Sequence, residues 1–267
     1  GPTSTPPPTP LVSPPPTASA TVTRTATRTP SATPSPTRTR TPSPSPSPLP
    51  TRDSRVIYLP LLLGERCDPS PQRIDVLLVI DASSSMRFAT RAGRSKIAAA
   101  QEAARRFLGR LSLPEDQAGL VTFNASAAVL SRLSGDRAAL LAAVDGIQLA
   151  EFTRIHLGVD LARELVLAAE HKGANLPAIV LLTDGRSNPD PSQMALDAAA
   201  LAKASGIRVF TVGLGQDVEQ EVLRAMASRP EDYFYAPDGE DLGAIYEAIA
   251  VAIPCPIRGW WPATGSP

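Results

Sequence analysis

Lysine is scarce in this 267-residue chain, with only Lys96, Lys172 and Lys203, and cysteine, histidine and tryptophan occur twice each. His156 and His171 have no Cys or Asp pair at ligand spacing, which argues against a zinc cluster and leaves them as helix-surface histidines. The formal net charge is zero, but residues 1–55 carry +5 and the remaining 212 residues −5, and a mildly acidic folded part gives no electrostatic case for nucleic-acid binding. No apolar run reaches the length of a membrane span. No G-x-S-x-G elbow, Walker loop or complete G-x-G-x-x-G fingerprint follows a strand, and Gly213-Leu214-Gly215 reads as a turn.

Proline is abundant and unevenly placed. Residues 1–55 hold 16 of the 29 prolines, interleaved with Thr and Ser, and carry six Arg against Asp53 alone. Such a segment buries no core and favours extended polyproline II, so 1–55 is expected to be a disordered linker or stalk. Ser/Thr/Pro tracts of this kind also serve as O-glycosylated stalks on exported proteins; the alternative is an unmodified intracellular linker. Neither an initiator Met nor a charged-then-apolar leader is present, so any signal peptide has been removed or lies upstream. Residues 56–72 include the short apolar stretch Val56–Leu63, broken by Pro60, and form a connecting segment. Residues 256–267 are a tail containing Trp260 and Trp261.

From Arg73 onward apolar strands alternate with amphipathic helices, the pattern of a mostly parallel sheet covered on both faces. Strands are expected at 73–81, 117–123, 178–183, 207–214 and 233–235, with 127–133 returning antiparallel as an edge strand after the turn Asn124-Ala125-Ser126. Helices are expected at about 95–111, 137–147, 156–169, 192–205, 218–227 and 241–253. The fold class is therefore α/β, doubly wound and Rossmann-like, with the folded unit spanning 73–255.

The stretch Asp75–Ser85 concentrates the chemistry. An unbroken apolar strand ends in Asp81-Ala82-Ser83-Ser84-Ser85, and in open α/β sheets ligands sit beyond the carboxyl ends of such strands. Asp81, Ser83 and Ser85 offer hard oxygen, which suits Mg²⁺ and not zinc. Asp184 ends a second apolar strand, and Thr153 lies in the loop before a helix. With these residues the chain resembles the von Willebrand factor type A (vWA) domain, which carries D-x-S-x-S, a later Thr and a later Asp as its metal-ion-dependent adhesion site, the MIDAS. Asp81, Ser83, Ser85, Thr153 and Asp184 match all five positions in order.

The resemblance implies a Mg²⁺ or Mn²⁺ ion held directly by the Ser83 and Ser85 hydroxyls, with Asp81, Thr153 and Asp184 acting directly or through water. Met86-Arg87-Phe88-Ala89 stands where integrin β-subunit domains place acids for an adjacent calcium, so one site is expected. An acidic side chain of a protein partner would complete the metal shell. Cys67 precedes the first strand and Cys255 follows the last helix, so topology puts both at the sheet end opposite the metal site. Many extracellular members of the family close their termini with such a disulfide; two free cytosolic thiols are the alternative.

The function expected is a secreted or surface-attached, metal-dependent binding module of adhesion type, not an enzyme, with no nucleic-acid partner and no membrane span. The runner-up is an intracellular assembly subunit of a metal-inserting or motor complex. A metallohydrolase would need a general base beside the metal, and none is evident.

Overall fold

A computed structural model describes residues 72–168 and 170–254. The Pro-rich segment, both cysteines and the two tryptophans lie outside the described residues. Twelve regular elements alternate as expected: β1 (Ile74–Asp81), α1 (Lys96–Arg110), β2 (Gln117–Phe123), β3 (Ala127–Ser134), α2 (Arg137–Asp145), α3 (Ile155–Val166), β4 (Leu176–Thr183), α4 (Ser192–Ala204), β5 (Arg208–Leu214), α5 (Gln220–Met226), β6 (Tyr233–Ala236) and α6 (Leu242–Ala252). Short 3-10 turns at Ser84–Arg87, Pro230–Asp232 and Gly239–Asp241 join them. No helix among the described residues is long and apolar enough to cross a membrane.

The six strands form one sheet in the order β3-β2-β1-β4-β5-β6. Only the β2–β3 pairing is antiparallel. The chain moves outward from β1 through β2 to β3, then crosses back to β4 on the other flank of β1. That reversal makes the β1/β4 junction the topological switch point, where side chains of two diverging loops face each other.

Alternation along the strands divides the core in two. Val76, Leu78 and Ile80 of β1, with Val180 and Leu182 of β4, pack beneath α1, α2 and α6. Leu77 and Val79, with Ile179 and Leu181, pack beneath α3, α4 and α5. Both central strands are therefore buried on each face, as their unbroken apolar runs require. Alanines line the inner faces of α1 (Ala99, Ala100, Ala103, Ala104) and α4 (Ala195, Ala198, Ala199, Ala202), allowing those helices a close approach. Gly158 does the same for α3, since a Cβ there would stand 2.7 Å from the Phe123 ring and 3.0 Å from Val79.

Capping follows the sequence. The Ser95 hydroxyl accepts the Ala98 N–H at the start of α1, and Asp136 accepts those of Ala138 and Ala139 at the start of α2. Gly206, at φ 81°, turns the chain out of α4. Two expectations need correction. β4 starts at Leu176 rather than Ala178 and includes Pro177, paired in register with Asp75. His171 is not on a helix surface, because α3 ends at Val166. Its Nδ1 lies 2.7 Å from Oδ2 of buried Asp75, which also accepts the Lys172 N–H and the Asn175 amide. That network fastens the sheet end opposite the switch point.

Candidate functional site

At the switch point, β1 delivers Asp81 and the loop after β4 delivers Asp184, both fully buried. Past Asp81 the backbone stays tied to the sheet, as Ala82 N–H donates to Phe123 at 2.8 Å and Ala82 C=O accepts from Ala150. The chain then folds into the Ser84–Arg87 turn, with the Met86 N–H donating to the Ser83 carbonyl. Met86 itself is fully buried in the α1-side core, which pins the serine loop from below. Thr153 is carried by the loop before α3, where Thr153 and Asn188 exchange backbone hydrogen bonds of 2.8 and 3.0 Å. Arg154 N–H donates to Asn124, binding the β2–β3 turn into the same frame.

The side chains form a connected set. Asp81 Oδ1 accepts the Ser83 N–H at 2.8 Å, and Asp81 Oδ2 accepts the Thr183 hydroxyl at 2.5 Å. The Ser83 and Ser85 hydroxyls lie 2.9 Å apart, and Ser85 donates to Asp184 Oδ1 at 2.6 Å. Asp184 Oδ2 accepts from Lys96 Nζ at 2.7 Å. Above this set opens a cleft of about 600 Å³, lined by Ser83, Ser84, Ser85, Glu151, Phe152, Thr153, Arg186, Ser187, Asn188 and Asp217. The Thr153 hydroxyl makes no hydrogen bond among the described residues.

Two buried carboxylates this close are electrostatically awkward. Burial, and secondarily the Asp184 charge, pushes the Asp81 carboxyl up to about 6, against hydrogen bonds from Ser83 and Thr183 that pull it down. A cation between the two would relieve that cost, and the surrounding oxygens are the hard donors that Mg²⁺ or Mn²⁺ prefers. Among the described residues no group of three or more His, Cys, Asp or Glu side chains is arranged to hold a metal. An ion here would thus lean on the Ser83, Ser85 and Thr153 hydroxyls as well as on Asp81 and Asp184. The donor chemistry fits a small divalent ion.

The rim carries its own signals. Phe152 has φ 70°, a left-handed conformation costly for a bulky residue, and is 46% exposed at the cleft mouth. Phe88 is 63% exposed just past the serine turn. His156, expected on a helix surface, is only 7% exposed, with its Nδ1 3.8 Å from Asp190 Oδ2. It sits in the first turn of α3, next to buried Ile155 and beneath the loop that carries Asp190.

Two contributors escape a reading of the sequence. Thr183 is the last residue of an apolar strand, and nothing local marks its hydroxyl as the partner of a carboxylate 102 positions earlier. Lys96 leaves a faint trace: a cation at the first position of a helix opposes the helix dipole.

Comparison with known proteins bears on the fold. A UPF0353 protein of Mycolicibacterium vanbaalenii is 39% identical over 152 residues, covering 54% of this chain and 45% of that protein. The chain spans between 45% and 62% of the length of the curated relatives it matches. Among solved structures, the vWF domain of the type V pili tip protein Mfa5 from Porphyromonas gingivalis aligns with a TM-score of 0.61 at 16% identity, covering 68% of this chain and 95% of that one. Proximal thread matrix protein 1 from the mussel byssus, solved with a zinc-occupied MIDAS motif, aligns with a TM-score of 0.59 at 23% identity, over 68% and 46% of the two chains. The family model of the von Willebrand factor type A domain matches residues 75–248, from within β1 to within α6. Six strands in the observed order, with the switch point between β1 and β4, fit that match, and the chain belongs to the von Willebrand factor type A domain family.

Proposed function

We propose that this protein binds other proteins through a divalent cation held by Asp81, Ser83, Ser85, Thr153 and Asp184, and that it is not an enzyme. Domains of this family mediate protein–protein interaction. The observation that carries the reading is the connected set of buried carboxylates and hydroxyls at the switch point, with Asp81 raised to about 6 by burial and by its neighbour. Ser83 and Ser85 would supply neutral oxygens, and Asp81 and Asp184 the charge. Thr153 would reach the ion from the opposite loop. Bound there, Mg²⁺ or Mn²⁺ supplies an electrophile for an acidic side chain of a protein partner entering the cleft. The mussel neighbour with zinc in its MIDAS motif makes zinc the competing ion to test.

The setting is secreted or surface-attached. The Pro/Thr/Ser-rich residues 1–55 suit a stalk that holds the module away from its anchorage. A Cys67–Cys255 disulfide would close the module's ends in an oxidising compartment.

Calorimetric titration of the full chain with Mg²⁺, Mn²⁺ and Zn²⁺, beside the Asp81→Ala variant, tests the core of the reading. The expected result is one site for Mg²⁺ and Mn²⁺ in the native protein and none in the folded variant. Metal affinity unchanged in Asp81→Ala would sink the assignment. Tighter binding of Zn²⁺ at the same site would correct the ion and leave the residues.

A further inference from the structure

We propose that Lys96 is a positioning residue of this site: its ammonium fixes Asp184 and lowers the negative charge offered to the cation, trading ion affinity for attraction toward an anionic partner. The inference rests on the reading above and adds a residue to it. Lys96 opens α1 directly after its cap Ser95, where a positive charge meets the positive end of the helix dipole. Its side chain is nonetheless only 15% exposed, and its partner Asp184 is 0% exposed. An ammonium loses hydration in such a place and is retained when a buried anion compensates it.

Asp184 provides the compensation through one oxygen only. Oδ2 accepts from Lys96 at 2.7 Å, while Oδ1 accepts from Ser85 at 2.6 Å. The carboxylate plane is thereby fixed, with one oxygen toward α1 and the other toward the hydroxyl cluster. A Cβ placed on Gly215 would stand 3.5 Å from Lys96 Nζ and 3.7 Å from its Cε, so the lysine head lies near the end of β5 as well as beside Asp184.

Charge gives the consequence. Asp81 and Asp184 with Lys96 amount to one net negative charge. A divalent ion turns this into one net positive charge, where without Lys96 the filled site would be neutral. Glu151 and Arg87 on the rim pair with each other in solvent and add little. Lys96 should thus weaken the ion's hold and leave the filled site attractive to a carboxylate.

Binding of Mn²⁺ to the full chain, read from the spin-resonance signal of the free ion, tests this with Lys96→Met, Lys96→Gln, Lys96→Arg and Ser85→Ala. We expect the two neutral variants to bind Mn²⁺ at least about tenfold more tightly than the native protein. Lys96→Arg should stay near native and Ser85→Ala should lose the ion. Acetate, as a carboxylate probe, should change the water-proton relaxivity of bound Mn²⁺ at lower concentration in the native protein than in Lys96→Met. Should Lys96→Met fail to fold, Lys96→Gln carries the same comparison. Equal or weaker Mn²⁺ binding in the neutral variants, with native binding intact and Ser85→Ala defective, overturns the role of Lys96 and leaves the metal site standing. Absence of Mn²⁺ binding in native and neutral variants alike overturns the metal reading itself, and the role of Lys96 with it. Binding in the neutral variants alone would support the inference in its strongest form, with Lys96 holding the site against the ion.

Discussion

Replacing Asp81 by Asn should stabilise the protein in the presence of a chelator while abolishing its response to metal. The folded Asp81 carboxyl sits at about 6 against an ordinary value of 3.8, chiefly through burial. A raised carboxyl means the folded state holds its proton longer than the unfolded chain does. Its contribution is therefore neutral below about pH 4, becomes destabilising as pH rises through 4 to 6, and is fully adverse above 6. A gap of roughly two units corresponds to about 3 kcal/mol at pH 8. Asn keeps the oxygen that accepts the Ser83 N–H, and the Thr183 hydroxyl can reverse to accept from the new amide. Imperfect geometry takes back part of the gain, leaving about 1–3 kcal/mol, or roughly 3–10 °C in Tm for a domain of this size. Urea unfolding in EDTA at pH 8 and at pH 4 measures it. The variant should lead at pH 8 and lose that lead by pH 4, where the folded Asp81 carboxyl is protonated and only the geometric cost of the amide remains. Saturating Mg²⁺ should then raise the native protein by about 2.7 kcal/mol at one hundred times Kd and leave Asp81→Asn unmoved. A variant less stable than native at pH 8 in EDTA, with no gap that closes at low pH, would refute the account of two mutually repelling buried carboxylates.

Other substitutions test the frame around the site. Gly158→Ala should cost about 1–3 kcal/mol despite better helix propensity, because its Cβ meets the Phe123 ring at 2.7 Å and must push α3 off the sheet; thermal unfolding reads this, and an unchanged or higher Tm would show that α3 can shift freely. Cys67 and Cys255 should appear as a linked pair in non-reducing mass spectrometry of protein from its own compartment, the closed loop being worth up to roughly 5 kcal/mol in chain entropy. Two alkylated thiols without reductant would instead favour an intracellular assembly role.

The sheet was legible because its central strands are apolar on both faces and end in acids. Those features of Val76–Asp81 and Ile179–Asp184 give strand position, parallel pairing and the location of the switch point together. Pro177 was not legible as part of β4, since proline lacks the N–H a central strand normally donates; here it stands at the strand's start, where that loss is tolerated. The place of His171 is not legible in the sequence, because α3 stops at Val166 and the loop that follows brings the ring to Asp75. Four of the five proposed donors can be tied together by the hydrogen bonds of the set. Their outer contacts, Thr183 to Asp81 and Lys96 to Asp184, join residues 102 and 88 positions apart, which no local pattern announces.

Thr153 differs from the other four donors, and the difference yields a prediction about partner binding. Asp81, Ser83, Ser85 and Asp184 are held by one another, by Thr183 and by Lys96, so their positions are set before any ion arrives. Thr153 is held through its backbone alone, by Asn188, and its hydroxyl has no hydrogen-bond partner among the described residues. A hydroxyl so placed is free to engage or release an ion at little cost, whereas moving Ser85 would break its bond to a buried carboxylate. It also lines the open cleft beside Phe152, where a partner's acid would enter. Thr153→Ala should therefore reduce Mn²⁺ affinity only a few-fold, because a water can replace one neutral oxygen. Capture of an acidic partner by the loaded protein should fall by a larger factor. Calorimetry with Mn²⁺ alone, set against binding of a partner and of its carboxylate-to-amide variant in Mn²⁺ and in EDTA, separates the two effects. Equal losses in both would make Thr153 an ordinary ligand, and partner binding that survives EDTA would move the interface away from the cleft.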